Sequence, residues 1–239
     1  MTKILIVYTR LYTSCLTAAL RGIARNPWTL LLPIGLAVTF NLVVLPLVGS
    51  LGVLGGIALA LAFDALYSCY LYFTGEVVAS SRVTLRELKA SFGAYFWSLM
   101  NLFFVLWVVD LLLGLLVRGS PNGALIANAV WLVLLILLNP APEIIYVRRT
   151  HNGLETVQAS IRFLQEQWIE WFVPNLLLLL GAYLLVTRVL SRLPPGLTLL
   201  ALLVAGALFH VAMVFRGHLF RALDGSSHRQ RMFRYRNAG

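Results

Sequence analysis

An all-α polytopic membrane protein with six transmembrane helices is the fold class this chain predicts, and three observations carry it. Hydrophobic residues make up 60% of the chain and charged residues only 12%, where a soluble domain runs about 25% charged. Six apolar stretches, near 28–48, 51–79, 96–117, 122–147, 171–190 and 197–217, are each long enough to cross a hydrocarbon core of about 30 Å. The third observation is charge placement. With the loops assigned alternately to the two sides, sixteen of the 19 Lys and Arg fall on one side, and only Arg118, Arg188 and Arg192 on the other. The positive-inside rule then predicts a multi-pass plasma (inner) membrane protein with both termini cytoplasmic.

Each element follows from its local pattern. The opening MTKILIVYTRLYTSCLTAALRGIARNPW has no cationic region leading into an apolar core and cleavage site, so no cleaved signal peptide is expected. The extracytoplasmic connections are short: a turn at 49–52, RGSPNG at 118–123 and SRLPPG at 191–196. The cytoplasmic connections are longer and helical in pattern. Segment 83–95 sets Val83, Leu85, Leu88 and Phe92 against Arg86, Glu87 and Lys89. Segment 153–170 puts Leu154, Val157, Ile161, Leu164 and Trp168 on one face, the spacing of an amphipathic helix. Residues 3–25 read similarly, and all three would lie in the headgroup region with the apolar face down. LRELKASFGAYFW (85–97) also aligns with LETVQASIRFLQEQW (154–168), which suggests a repeating unit of interfacial helix plus hairpin, with a weaker first copy around Ala18 and Ala19. Residues 1–220 form the membrane domain, and 221–239 a basic cytoplasmic tail.

Asp64 is the most conspicuous polar residue. A charge near the middle of a span costs roughly 2.5–3.5 kcal/mol on insertion scales. Gly52, Gly56 and Ala60 precede it at four-residue spacing, a ridge of small residues along which another helix can approach. Asp64 continues that ridge and should face protein. At 1.5 Å per residue it lies roughly 20 Å from the outer turn, a depth His210 shares in the sixth span. An Asp64–His210 pair is therefore expected, either as a buried polar clamp or as a proton relay or substrate ligand.

Three further polar residues, Asn101, Asp110 and Asn128, suggest hydrogen bonding between neighbouring helices, with Asp110 and Asn128 at one depth across the 118–123 hairpin. NPAPEIIYVRR (139–149) is the most distinctive string. Pro140 and Pro142 break the fourth span near its cytoplasmic end. Glu143 follows, with Arg148 and Arg149 beyond. The expectation is either a kink whose Glu143 pairs with a headgroup-level arginine, or a freed carbonyl and carboxylate that bind a cation or partner. In the tail, Arg229, Arg231, Arg234 and Arg236 alternate with Met232, Phe233 and Tyr235. That polybasic pattern fits anionic lipid headgroups or an acidic partner surface. Aromatics among arginines could also stack on RNA, but beside a membrane nucleic acid is not the expected partner.

Cys15 and Cys69 form no metal-binding spacing and are expected as free thiols. His151, His218 and His228 make no metal-binding pair, and no nucleophile elbow, phosphate loop or Ser/His/Asp set appears. No catalytic residues, metal or cofactor are expected. The layout of GEVVASSRVTLRELKASFGAYF, then NPAPEIIYV, then GLETVQASIRFLQEQWIEWF resembles YciC-type inner-membrane proteins and the membrane domain found beside some glycerophosphodiester phosphodiesterases. The resemblance covers about residues 55–190 and implies a six-helix bundle; the basic tail departs from it. Three functions follow as expectations: a non-enzymatic structural or assembly subunit of a larger membrane complex, the permease subunit of an ABC-2-type exporter working with a separate ATPase, or a proton-coupled carrier.

Overall fold

The computed structural model of the chain describes residues 2–79, 82–226 and 230. Among them there are helices and turns and no strand. In chain order the helices are α1 (Thr2–Arg25), α2 (Pro27–Gly49), α3 (Gly55–Val78), α4 (Leu85–Leu116), α5 (Gly123–Leu137), α6 (Ala141–Arg148), α7 (Gly153–Leu184) and α8 (Pro195–Asp224). Five are long and apolar enough to cross a membrane, and six crossings result if α5 and α6, bent by 43° at their junction, count as one. The chain is thus multi-pass. Two expected spans begin earlier than their apolar stretch: α4 includes the 85–94 segment, and α7 is continuous from Gly153.

The breaks have local causes. Pro46 lacks an N–H and crowds the carbonyl four residues back, and α2 passes through a wide turn at Phe40–Val44 just before it. Pro174 leaves the Glu170 carbonyl in α7 without its helical donor. The Tyr12 hydroxyl of α1 donates to that carbonyl at 3.1 Å. Burial, then the Glu170 carboxylate, push the Tyr12 phenol above its ordinary range, so it stays a donor at physiological pH. Tyr12→Phe is expected to strand the Glu170 carbonyl and cost about 1–3 kcal/mol. A matching drop in the unfolding midpoint in detergent micelles checks it; an unchanged midpoint contradicts it.

α1 packs on α8 and α3 through Val7, Leu11, Cys15, Ala19 and Ile23, a buried stripe at four-residue spacing. Both cysteines are free and buried, and burial pushes the Cys15 thiol up to about 11, well away from a reactive thiolate. In α7 the packed face is Gly153, Thr156, Ser160, Phe163, Gln167 and Glu170, while Leu154 and Trp168 stay exposed. Small and polar residues thus share the inward contacts of that helix with Phe163, Leu164 and Trp171, close packing of the kind that holds helices together in lipid.

The small-residue ridge of α3 is not the contact the spacing suggested. Gly52 has a positive φ in the turn before α3, and a Cβ added at Gly52 or Gly56 would meet nothing within 4 Å. The close approach is at Gly55, where an added Cβ would lie 2.8 Å from the Val48 carbonyl oxygen. Further along, Ser68 serves the backbone break at Tyr95. Its hydroxyl accepts from the Tyr95 N–H at 2.8 Å and donates to the Ser91 carbonyl at 3.0 Å.

Candidate functional site

The polar centre of the bundle forms where α5 breaks into α6. Pro142 can offer no N–H to the Leu138 carbonyl, which bonds the Ala141 N–H instead at 3.0 Å. The break turns Glu143 inward, where it is 0% exposed. Arg216 of α8 meets it with two parallel bonds: Nε to Oε1 at 2.8 Å and Nη2 to Oε2 at 3.1 Å. Nη2 also donates to the Asn139 carbonyl at 2.7 Å. Trp171 of α7 completes the set. Its indole N–H donates to Asn139 Oδ1 at 2.8 Å, and its ring lies 5.1 Å from the guanidinium carbon. Helices α6, α7 and α8 and the turn between α5 and α6 therefore meet at one neutralised charge pair with a bidentate geometry.

A cavity of about 960 Å³ opens beside this lock. It lies between α2, which leans on α8 and α3, and α5, whose main contact is with α7. Its long walls are apolar, with Leu36 and Phe40 from α2, Phe63 from α3, Leu132 and Leu135 from α5 and Phe209 from α8 among them. Arg216, Asn139, Tyr67 and Tyr70 also line it, and Asn41 and Asn128 add two further polar side chains along the walls. Tyr70 is buried with its hydroxyl unbonded, its ring stacked on Phe209 at 5.9 Å.

No protein-family model, curated protein or solved structure matches this chain. Its chemistry has to be read from its own geometry.

The structure rearranges the residues singled out from sequence. Asp64 and His210 are both buried, but the expected pair does not form: neither ring nitrogen of His210 has a hydrogen-bond partner. Helix starts explain the miss. Residues 52–54 form a 3-10 turn, so α3 begins at Gly55 and Asp64 is its tenth residue, whereas His210 is the sixteenth of α8. Six residues amount to roughly 9 Å of rise. The residue level with His210 is Tyr70, whose ring packs edge-on against it at 5.8 Å.

Asn101, Asp110 and Asn128 do not share a network. Asn101 donates to the His151 carbonyl at 3.0 Å, tying α4 to the loop before α7. Asp110 accepts from the Trp131 indole at 3.1 Å. Asn128, almost a turn before Trp131, lines the cavity instead. The bond between α4 and α5 was expected, but its partner is an indole.

In the proline segment, Glu143 pairs with neither Arg148 nor Arg149. Arg148 reaches Asp224 at the end of α8, Nε to Oδ2 at 3.1 Å, and Arg149 takes a left-handed turn with φ 56°. The carbonyl at the break does bind a cation, and that cation is the Arg216 guanidinium. Arg229, Arg231, Arg234 and Arg236 lie outside the described residues. Among the described residues no three His, Cys, Asp or Glu are grouped to hold a metal ion.

Arg216 and Trp171 were missed because both sit where sequence reads as ordinary membrane boundary. The available signal was symmetry of position. Glu143 and Arg216 are opposite charges set just inside the same end of two neighbouring spans, where an unpaired charge is costly.

Proposed function

We propose that the chain is a non-enzymatic inner-membrane protein, a structural or assembly subunit of a larger membrane complex. The observation that carries this reading is the closed Glu143–Arg216–Asn139–Trp171 lock. It spends the strongest charges of the bundle core on holding α6, α7, α8 and the turn before α6 together. Arg221 supports the same role by donating from Nη1 to the Val78 carbonyl at 2.6 Å, capping the end of α3. The orientation follows from the charge count: the end bearing Arg148, Arg216 and Arg221 is cytoplasmic, where anionic headgroups and partner subunits are met. The segments around 85–97 and 154–168 fit a repeated unit. Ser91 and Ser160 are both fully buried, and a helix break follows each, at Tyr95 and at Gln167.

A mild-detergent pull-down of the full chain, with quantitative identification of partners, tests this reading. Recovery of membrane proteins in fixed stoichiometry supports it. Recovery of the chain alone overturns it.

One observation favours a second reading, a permease subunit of an exporter. The cleft between α2 and α5 is a route into the bundle that a pure scaffold does not need. In that reading the short helix Leu88–Ala94 contacts a separate ATPase. Copurification of a nucleotide-binding subunit, lost when the surface of that helix is altered, would favour it over the scaffold.

A further inference from the structure

We infer that the cavity between α2 and α5 is a binding site for one glycerophospholipid, with an acyl chain along its walls and head oxygens at Arg216 and the two tyrosines. The inference goes beyond the subunit reading and does not depend on it.

Three features of the cavity identify the occupant. The first is length. Its α5 wall runs from Asn128 to Leu138, roughly 15 Å at 1.5 Å per residue. That is half of a ~30 Å hydrocarbon core, the depth of one leaflet. A chain entering from one leaflet fills such a slot.

The second feature is the set of polar groups in its wall. Arg216 forms part of the wall with a side chain 16% exposed, and its Nη1 makes no hydrogen bond among the described residues. The Tyr67 hydroxyl is also without a hydrogen bond among those residues, and the Tyr70 hydroxyl is buried and unbonded. A buried hydroxyl left unpaired costs about 1–3 kcal/mol. All three groups can donate, so the complement is a group rich in acceptor oxygens. Phosphate and ester oxygens of a phospholipid head supply them. A sterol-like or hydrocarbon ligand would leave the same donors stranded.

The third feature is charge. Glu143 already neutralises Arg216, so the site imposes no requirement for strong net negative charge. Zwitterionic and singly anionic phospholipids are both accommodated. The size agrees, because about 960 Å³ stands at the upper end of ligand pockets, which run roughly 300–1,000 Å³. The helices that flank the cavity, α2 and α5, both belong to candidate membrane spans, so a lipid can reach it laterally from the bilayer.

Native mass spectrometry of the full chain, released from mild detergent, tests the proposal by counting bound phospholipid. Ala37→Trp puts an indole into the cavity from an exposed lining position of α2 and changes no residue of the Arg216 lock. Ile57→Trp places the same indole at an exposed site away from the cavity. Tyr70→Phe removes one head contact and little volume. The expected result is one tightly held phospholipid per chain, retained in Ile57→Trp, reduced at least about fivefold in Ala37→Trp and reduced less in Tyr70→Phe. A fivefold loss of binding corresponds to about 1 kcal/mol. Equal retention in all variants would mean only annular lipid, and overturns the proposal. So would the absence of bound phospholipid, or a non-phospholipid in its place.

Discussion

Replacing Glu143 with alanine is expected to be the most damaging single substitution in the bundle, at about 3–5 kcal/mol. The carboxylate is wholly buried, and it receives two of the bonds that the Arg216 guanidinium makes. Removing it leaves a positive charge in an apolar interior, with only the Asn139 oxygens and the Trp171 ring to offset it. The guanidinium cannot lose its proton to escape, because arginine is effectively always charged in proteins. Arg216 would have to swing toward water, and α8 would be drawn away from α6 and α7. The pair is a different matter from its halves. Replacing both residues with apolar ones, Glu143→Leu with Arg216→Met, removes the charge and the desolvation cost together, and buried pairs replaced in this way are often neutral or stabilised. The unfolding midpoint in micelles should therefore fall sharply for Glu143→Ala and stay near the parent for the double variant. A single variant as mild as the double would show that the lock does not hold the helices.

How much of this was legible in the sequence depends on the kind of quantity. Hydropathy and charge counts need no register, and the helical class and the spans survive in the structure to within a few residues at most ends. The break at Pro140 and Pro142 was equally legible, because proline acts on its own neighbours. Partner identity was not. It depends on where each helix starts and how far each slides, quantities that a few loop residues settle. The 52–54 turn delayed α3 enough to put Tyr70, and not Asp64, beside His210. Asp110 found Trp131, less than one turn from the predicted Asn128, for the same reason. Glu143 was recognised as a group in need of a partner, but nearness in sequence favoured Arg148 and Arg149, and its arginine came from 73 residues away. Tyr12 was invisible as a partner because its acceptor, the Glu170 carbonyl, is exposed only by Pro174 on a distant helix.

Gly217→Ala is the second large effect expected, and a companion substitution should cancel most of it. Tyr146 of α6 is packed between Gly75 of α3 and Gly217 of α8. A Cβ at Gly217 would land on the Tyr146 hydroxyl oxygen and 2.6 Å from a Val78 methyl. Overpacking of a tight junction costs about 1–3 kcal/mol, and here three helices must give way together. The Tyr146 hydroxyl is itself buried and unbonded. Tyr146→Phe removes an unpaired polar atom and frees the space that the added methyl group would occupy. Alone it should leave stability equal to the parent or raise it by about 1 kcal/mol, since the desolvation penalty disappears and no bond is lost. Combined with Gly217→Ala it should recover much of that substitution's cost, leaving chiefly the contact with Val78. The two residues touch, so a coupling of about 0.5–3 kcal/mol is expected where distant sites would simply add. A thermodynamic cycle of the four proteins in micelles reads it directly. Strict additivity would mean that the clash is relieved elsewhere, by movement of α8 against α3, and that close contact at Gly217 does not set the spacing of these helices.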